Sequence, residues 1–131
     1  VNTGAVHALS YPLGVSYHIP HGVSIALLLP YVMEFNLEAA PERYAGIARA
    51  LGAAEGKPAL ETAREGVALI RQLIADCALP ATLEELNIPS SAVEGLAKDA
   101  MKVQRLLKNN LREVTEKDAQ EIYLAACAHP L

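Results

Sequence analysis

The sequence predicts an all-α protein, a single helical domain of six or seven helices packed around one buried central helix. Three observations carry that prediction. The 131 residues are 52% hydrophobic and 20% charged, the composition of one soluble globular core. That core has no Trp and one Phe, so Ala, Leu, Ile and Val must fill it, which suits closely packed helices better than a sheet sandwich. From Val23 to Phe35 apolar residues fall on every face of a helix, the pattern of an element buried nearly all round. No internal repeat, low-complexity tract or strand-like alternation competes with this reading.

Taken in order, Thr3 to about Ser10 reads as a short buried helix with Thr3 as N-cap. Pro12 and Gly14 end or kink it, and Val15 to Pro20 is the connector. Pro20-His21 opens the central helix, Pro30 kinks it and Asn36 stops it. Pro41 starts a third helix that Gly52 ends, with Tyr44, Ile47, Ala48 and Leu51 as its apolar stripe. Pro58 to about Cys77 is a long amphipathic helix with Val67, Ile70, Leu73 and Ile74 on its stripe and a tolerated Gly66 inside. Thr82 and Glu85 stand in capping-box register for a one- or two-turn helix. Ser90 or Ser91 caps a sixth helix to Met101, with Ala92, Leu96 and Ala100 facing inward. Thr115 and Asp118 form a second capping box at the start of the last helix.

Composition also excludes function classes. A net charge of −4 gives no broad basic field, which argues against nucleic acid or an anionic membrane as partner. The local cluster Lys98, Lys102, Arg105 and Lys108 reads as a solvated face at a helix end. The apolar run Val23 to Met33 falls short of the roughly 20 residues that span a bilayer. Cys77 and Cys127 lack ligand spacing and read as buried thiols of a reducing, cytoplasmic compartment, with a single disulfide left open. The chain opens on Val, within what reads as a packed element, so a piece of something larger is expected.

His7 and His21 are the residues with the chemistry for a metal centre. Neutral imidazole is a good ligand for divalent iron and zinc, and the two histidines converge if the connector folds back. Their spacing does not specify a metal by local geometry. On spacing alone, capping or hydrogen-bonded core histidines are the more frequent outcome.

The runs HALSYPLG, HIPHG, ALLLP and EFN resemble the signature of the iron-containing (group III) alcohol dehydrogenase family. ERYAGIARALG, PATLEELNIP and NNLREVTEKDAQEIYLAA are similar to its C-terminal half, so the resemblance covers essentially the whole chain. It implies a dehydroquinate-synthase-like C-terminal helical domain. It also implies a divalent metal, Fe(II) or in some members Zn(II), held by one aspartate and three histidines, with His7 and His21 resembling the last two ligands. The metal then serves as a Lewis acid in hydride transfer between a small alcohol, aldehyde or ketone and NAD or NADP.

Two departures stand out. Many members have a second histidine where this chain has Tyr11, which can donate a hydrogen bond but is a poor base near neutral pH. Leu111 stands where proline is usual. The resemblance assigns His18 to the connector or cleft lining, against the plainer reading of a surface histidine, and leaves His129 without a role. Tyr17 lines the pocket or simply packs, and Glu34 and Asn36 terminate the central helix. No glycine forms GxGxxG or a GG pair, so residues 1–131 are expected to be the metal-binding domain, with the nucleotide-binding domain and the other two ligands absent. Such a chain is expected to be inactive alone and able to form homo-oligomers. The alternatives are a non-catalytic interaction or dimerisation module of the same family, and an unrelated helical domain with structural histidines.

Overall fold

Helix α1 spans Gly4–Tyr17 and α2 spans His21–Asn36, each with a proline in its interior, Pro12 and Pro30. The computed structural model describes residues 4–53, 55–103 and 113–127. Of the end or kink expected for α1 at Pro12 and Gly14, the end does not occur: the helix runs on to Tyr17, and the connector shrinks to residues 18–20. A mid-helix proline costs about 3 kcal/mol, but Leu9, Pro12 and Leu13 are all fully buried. Burial of each leucine contributes roughly 1.5–3 kcal/mol, so packing outweighs the local penalty. The proposed Thr3 cap lies outside the described residues.

Helix α2 is the centre of the bundle, as predicted, and packs against α1, α4 (Ala59–Asp76) and α6 (Glu116–Cys127). One face sends Leu27, Leu28, Tyr31 and Val32 into the main core, where they meet Leu9 and Leu13 of α1 and Ile122 and Tyr123 of α6. The opposite face sends Met33 into a second cluster with Leu37, Ala63 and Val67. After Asn36 a 3-10 turn, Leu37–Ala39, prolongs the helical path. By length and composition His21–Ala39 is apolar enough to cross a membrane, a longer stretch than the Val23 to Met33 run suggests, and half of it is buried inside the protein. That burial is the property of a core helix.

Helix α3 (Pro41–Ala50) lies along α4 on its small residues, which corrects the predicted stripe. Ala45 and Ala48 are buried, whereas Ile47 and Leu51 are 42% and 40% exposed. The cause is Gly66, where an added Cβ would stand 2.7 Å from the Cβ of Ala48. The two backbones meet over an alanine and a glycine, and the larger side chains are left at the margin. Leu73 of α4 is likewise 54% exposed, while Val67 and Ile74 are buried. Gly52 ends α3 at φ 109° as expected, with the Gly52 N–H donating to the Arg49 carbonyl and the Ala53 N–H to that of Ala48. Helix α4 ends in the same motif with Ala78, at φ 58°, in the glycine position.

Both capping boxes form. The Glu85 N–H donates to Thr82 Oγ1 at 3.2 Å and the Thr82 N–H to Glu85 Oε2 at 3.0 Å, although the element they start is a 3-10 turn, Glu84–Leu86. At α6 the Asp118 N–H donates to Thr115 Oγ1 at 3.1 Å and the Thr115 N–H to Asp118 Oδ2 at 3.0 Å. Helix α5 (Val93–Met101) is entered through the 3-10 turn Ser90–Ala92, and neither serine supplies the predicted side-chain cap. Leu96 and Ala100 are buried as expected, and Ala92 packs partly buried against the same cluster.

Tyr123 of α6 is fully buried and its hydroxyl donates to the Leu9 carbonyl of α1, tying together helices 114 residues apart in sequence. Lys98 pairs with Glu94 at 3.8 Å and Lys102 with Asp99 at 3.3 Å on the surface, while Arg105, Lys108, Leu111 and His129 lie outside the described residues. Cys77 is exposed rather than buried and Cys127 is half-buried, and both are free thiols. Cys77 escapes burial because it follows the last turn of α4, beyond the packed face.

Candidate metal centre

The connector between α1 and α2 reverses the chain at once. The His18 N–H donates to the Gly14 carbonyl at 3.1 Å and the Ile19 N–H to the Leu13 carbonyl at 3.3 Å. His18 itself holds the left-handed conformation at φ 56°, in the position where helices most often carry glycine. Pro20 is extended, with φ −54° and ψ 139°, and makes His21 the first residue of α2. His21 therefore lies back along α1, and its ring centroid is 5.4 Å from that of His7 with the planes tilted by 55°. His7 sits three residues after Gly4, at the start of α1.

Two buried serines fix the backbone under this pair. Ser10 Oγ donates to the His7 carbonyl at 2.9 Å, and Ser24 Oγ donates to the His21 carbonyl at 3.1 Å. Ser10 is 2% exposed and Ser24 0%, and Ser24 Oγ also lies 3.3 Å from the Pro20 carbonyl, so both hydroxyls are satisfied by backbone close in sequence. Sequence reasoning did not single them out. The signal was present as His-x-x-Ser, written twice in HALS and HGVS, because a serine three residues on reaches the carbonyl one turn back.

Beside the pair lies an open cleft of about 250 Å³, lined by Ser10, Tyr11, Gly14, Val15, Ile19, His21 and Ser24. It brings Tyr11 and His21 to one surface, with Tyr11 59% exposed. His18 is exposed on the connector. Tyr17 packs half-buried against the main core and also lines a separate cleft with Ser91 and Asp99. Glu34 pairs with Arg71 at 3.2 Å and Asn36 is buried at the end of α2, so both serve the fold. Arg71 also stands over the Tyr31 ring at 5.2 Å, and burial, ahead of the opposing charge of Arg71, pushes the Tyr31 phenol above its ordinary range.

The separation of the two rings is compatible with a shared divalent ion and equally with ordinary ring packing. With metal–nitrogen bonds of about 2.1 Å and ring centres about 1.1 Å beyond each nitrogen, two imidazoles at a tetrahedral angle stand about 5.2 Å apart. The observed separation is 5.4 Å and the rings are tilted rather than stacked. Among the described residues there is no group of three or more His, Cys, Asp and Glu side chains able to hold a metal ion.

Comparison with known proteins agrees with the fold. Residues 1–127 match the model of the Fe-containing alcohol dehydrogenase family, C-terminal region, and the chain belongs to that family. It is 42% identical over 124 residues to long-chain-alcohol dehydrogenase 1 of Geobacillus thermodenitrificans, covering 94% of this chain and 31% of that protein. It is 35% identical over 127 residues to lactaldehyde reductase of Escherichia coli, covering 96% of this chain and 33% of the relative. Among solved structures, an alcohol dehydrogenase from Oenococcus oeni superimposes with a TM-score of 0.90 at 35% identity, over 96% of this chain and 33% of the other. The chain thus spans about a third of the length of these relatives.

Proposed function

We propose that this chain is the metal-binding helical domain of an NAD(P)-dependent alcohol dehydrogenase, with His7 and His21 as two ligands of one divalent ion. The observation that carries the reading is the 5.4 Å approach of their rings across the α1–α2 reversal. Fe(II) is the favoured ion, after the family's description, and Zn(II) has the same use for neutral imidazole. When bound, the ion supplies Lewis-acid polarisation of a substrate oxygen.

The rest of the chemistry assigned to this chain is positioning. Ser10 and Ser24 hold the two histidine backbones, the cleft beside His21 admits a small alcohol, aldehyde or ketone, and Tyr11 donates a hydrogen bond to it there. The nicotinamide cofactor, NAD or NADP, binds mainly to a separate nucleotide-binding domain that also contributes the remaining metal ligands, so this chain is inactive alone. Relatives named for long-chain alcohols, 1,3-propanediol and lactaldehyde support an alcohol–aldehyde substrate class. The same reading includes a cytoplasmic setting, supported by two free thiols, homo-oligomer formation, and neither nucleic acid nor membrane as partner.

The test is reconstitution with the nucleotide-binding portion of a relative, under anaerobic conditions with Fe(II) or Zn(II). Oxidation of NADH or NADPH by small aldehydes is expected, and its loss in His7→Ala and His21→Ala. A formed, metal-loaded complex without turnover would favour the alternative, a non-catalytic interaction or dimerisation module.

A further inference from the structure

We infer that His18 is the positioning residue of the histidine pair, and that it acts through its left-handed backbone rather than through its imidazole. From His7 to Tyr17 the chain climbs α1 by ten residues, roughly 15 Å at 1.5 Å per residue. From Tyr17 to His21 it has four steps to come back, at most about 13 Å if fully extended at about 3.3 Å per residue. The two rings nevertheless approach to 5.4 Å. Each ring centre stands about 3.6 Å from its own Cα, so the two Cα atoms lie within about 12.6 Å of each other, and the connector must turn back beside α1 instead of running on past its end.

His18 makes that immediate reversal. At φ 56° it turns its own N–H onto the Gly14 carbonyl and the next N–H onto the Leu13 carbonyl, which lays Ile19 and the extended Pro20 along the helix just left. A residue with φ > 0 that is not glycine is uncommon, and Asn, Asp and His are the side chains that tolerate it best. A β-branched residue does not. The strained residue thus sits in the three-residue connector, between the two helices whose histidines it brings together, as strain tends to do at functional sites.

This inference rests on the metal reading for its purpose, but the geometry is measurable without metal. The experiment compares the 131-residue chain with His18→Gly, His18→Asn, His18→Ala and His18→Val. It uses three readouts: helix content by circular dichroism, the nuclear Overhauser contact between the His7 and His21 rings, and zinc affinity by calorimetry. His18→Gly and His18→Asn are expected to keep both the ring contact and the zinc affinity. His18→Val is expected to lose the ring contact at unchanged helix content and to bind zinc at least about tenfold more weakly, with His18→Ala between. If His18→Val does not fold, His18→Ala carries the comparison.

The inference is overturned if His18→Val keeps the contact and binds zinc within about twofold of the parent. It is equally overturned if His18→Gly fails as His18→Val does, because the side chain would then be what matters. A ring contact that depends on residue 18, in a parent chain whose imidazoles do not respond to zinc, leaves the positioning role standing and removes the metal reading.

Discussion

Replacing Tyr123 by Phe removes one hydroxyl and keeps the ring that fills the core. Tyr123 is 0% exposed and its hydroxyl donates to the Leu9 carbonyl, so the change deletes a buried hydrogen bond without opening a cavity. The Leu9 carbonyl keeps its place in the α1 ladder, which limits the loss to about 1–2 kcal/mol, against about 3–5 kcal/mol for removing the ring as well. At neutral pH this lowers the melting temperature by about 4 °C per kcal/mol for a chain of this size.

The same hydroxyl makes a pH signature. Burial, and after it the charge of Asp99, push the Tyr123 phenol upward, so the folded protein favours the neutral form more than the unfolded chain does. Stability from this group is full below the unfolded value of about 10 and is lost as pH rises toward the folded value, at up to about 1.4 kcal/mol per pH unit. Urea unfolding at pH 7 and pH 11 should therefore show the parent ahead of Tyr123→Phe by 1–2 kcal/mol at about pH 7 and nearly equal to it at about pH 11. Tyr31 is raised in both proteins and cancels. A gap that does not change with pH, or no gap at pH 7, would refute the reasoning.

Two substitutions test the packing and the helix ends. Gly66→Ala gains up to about 1 kcal/mol of helix propensity but places a Cβ 2.7 Å from that of Ala48. A net loss of about 1–2 kcal/mol in denaturant titration is expected, and a stabilised variant would show that α3 and α4 can separate freely. Ala78→Gly relieves the left-handed conformation at φ 58° and should stabilise by about 0.5–1 kcal/mol, seen as a higher denaturation midpoint with unchanged slope. An unchanged midpoint would mean that the α4 cap carries no strain.

Helix existence was legible because it is written in local chemistry. Both capping boxes, the glycine stop after α3 and the all-round apolar α2 were readable from residue spacing alone. What the sequence misplaced depended on neighbours that spacing does not show. Pro12 reads as a helix end or kink, yet the helix continues because its ring is buried where Leu9 and Leu13 dominate the balance. Ile47 and Leu51 read as core, yet the glycine at 66 pulls α3 in along its alanines and turns those side chains to the margin. At the candidate site the histidines were visible as types and their convergence only as a condition, that the connector fold back, since the fold-back depends on a left-handed residue at 18 that no periodicity announces. The supporting serines were visible in the repeated His-x-x-Ser pattern and carried meaning only once the two helices lay side by side.

The central claim is that His7 and His21 hold one ion together, and a zinc-binding cycle over the parent, His7→Ala, His21→Ala and the double variant measures that most directly. Two ligands on one ion predict that either single substitution weakens binding by about tenfold or more, and that the second adds little to the first. Losses that simply add, or single variants that bind zinc as the parent does, would contradict the account.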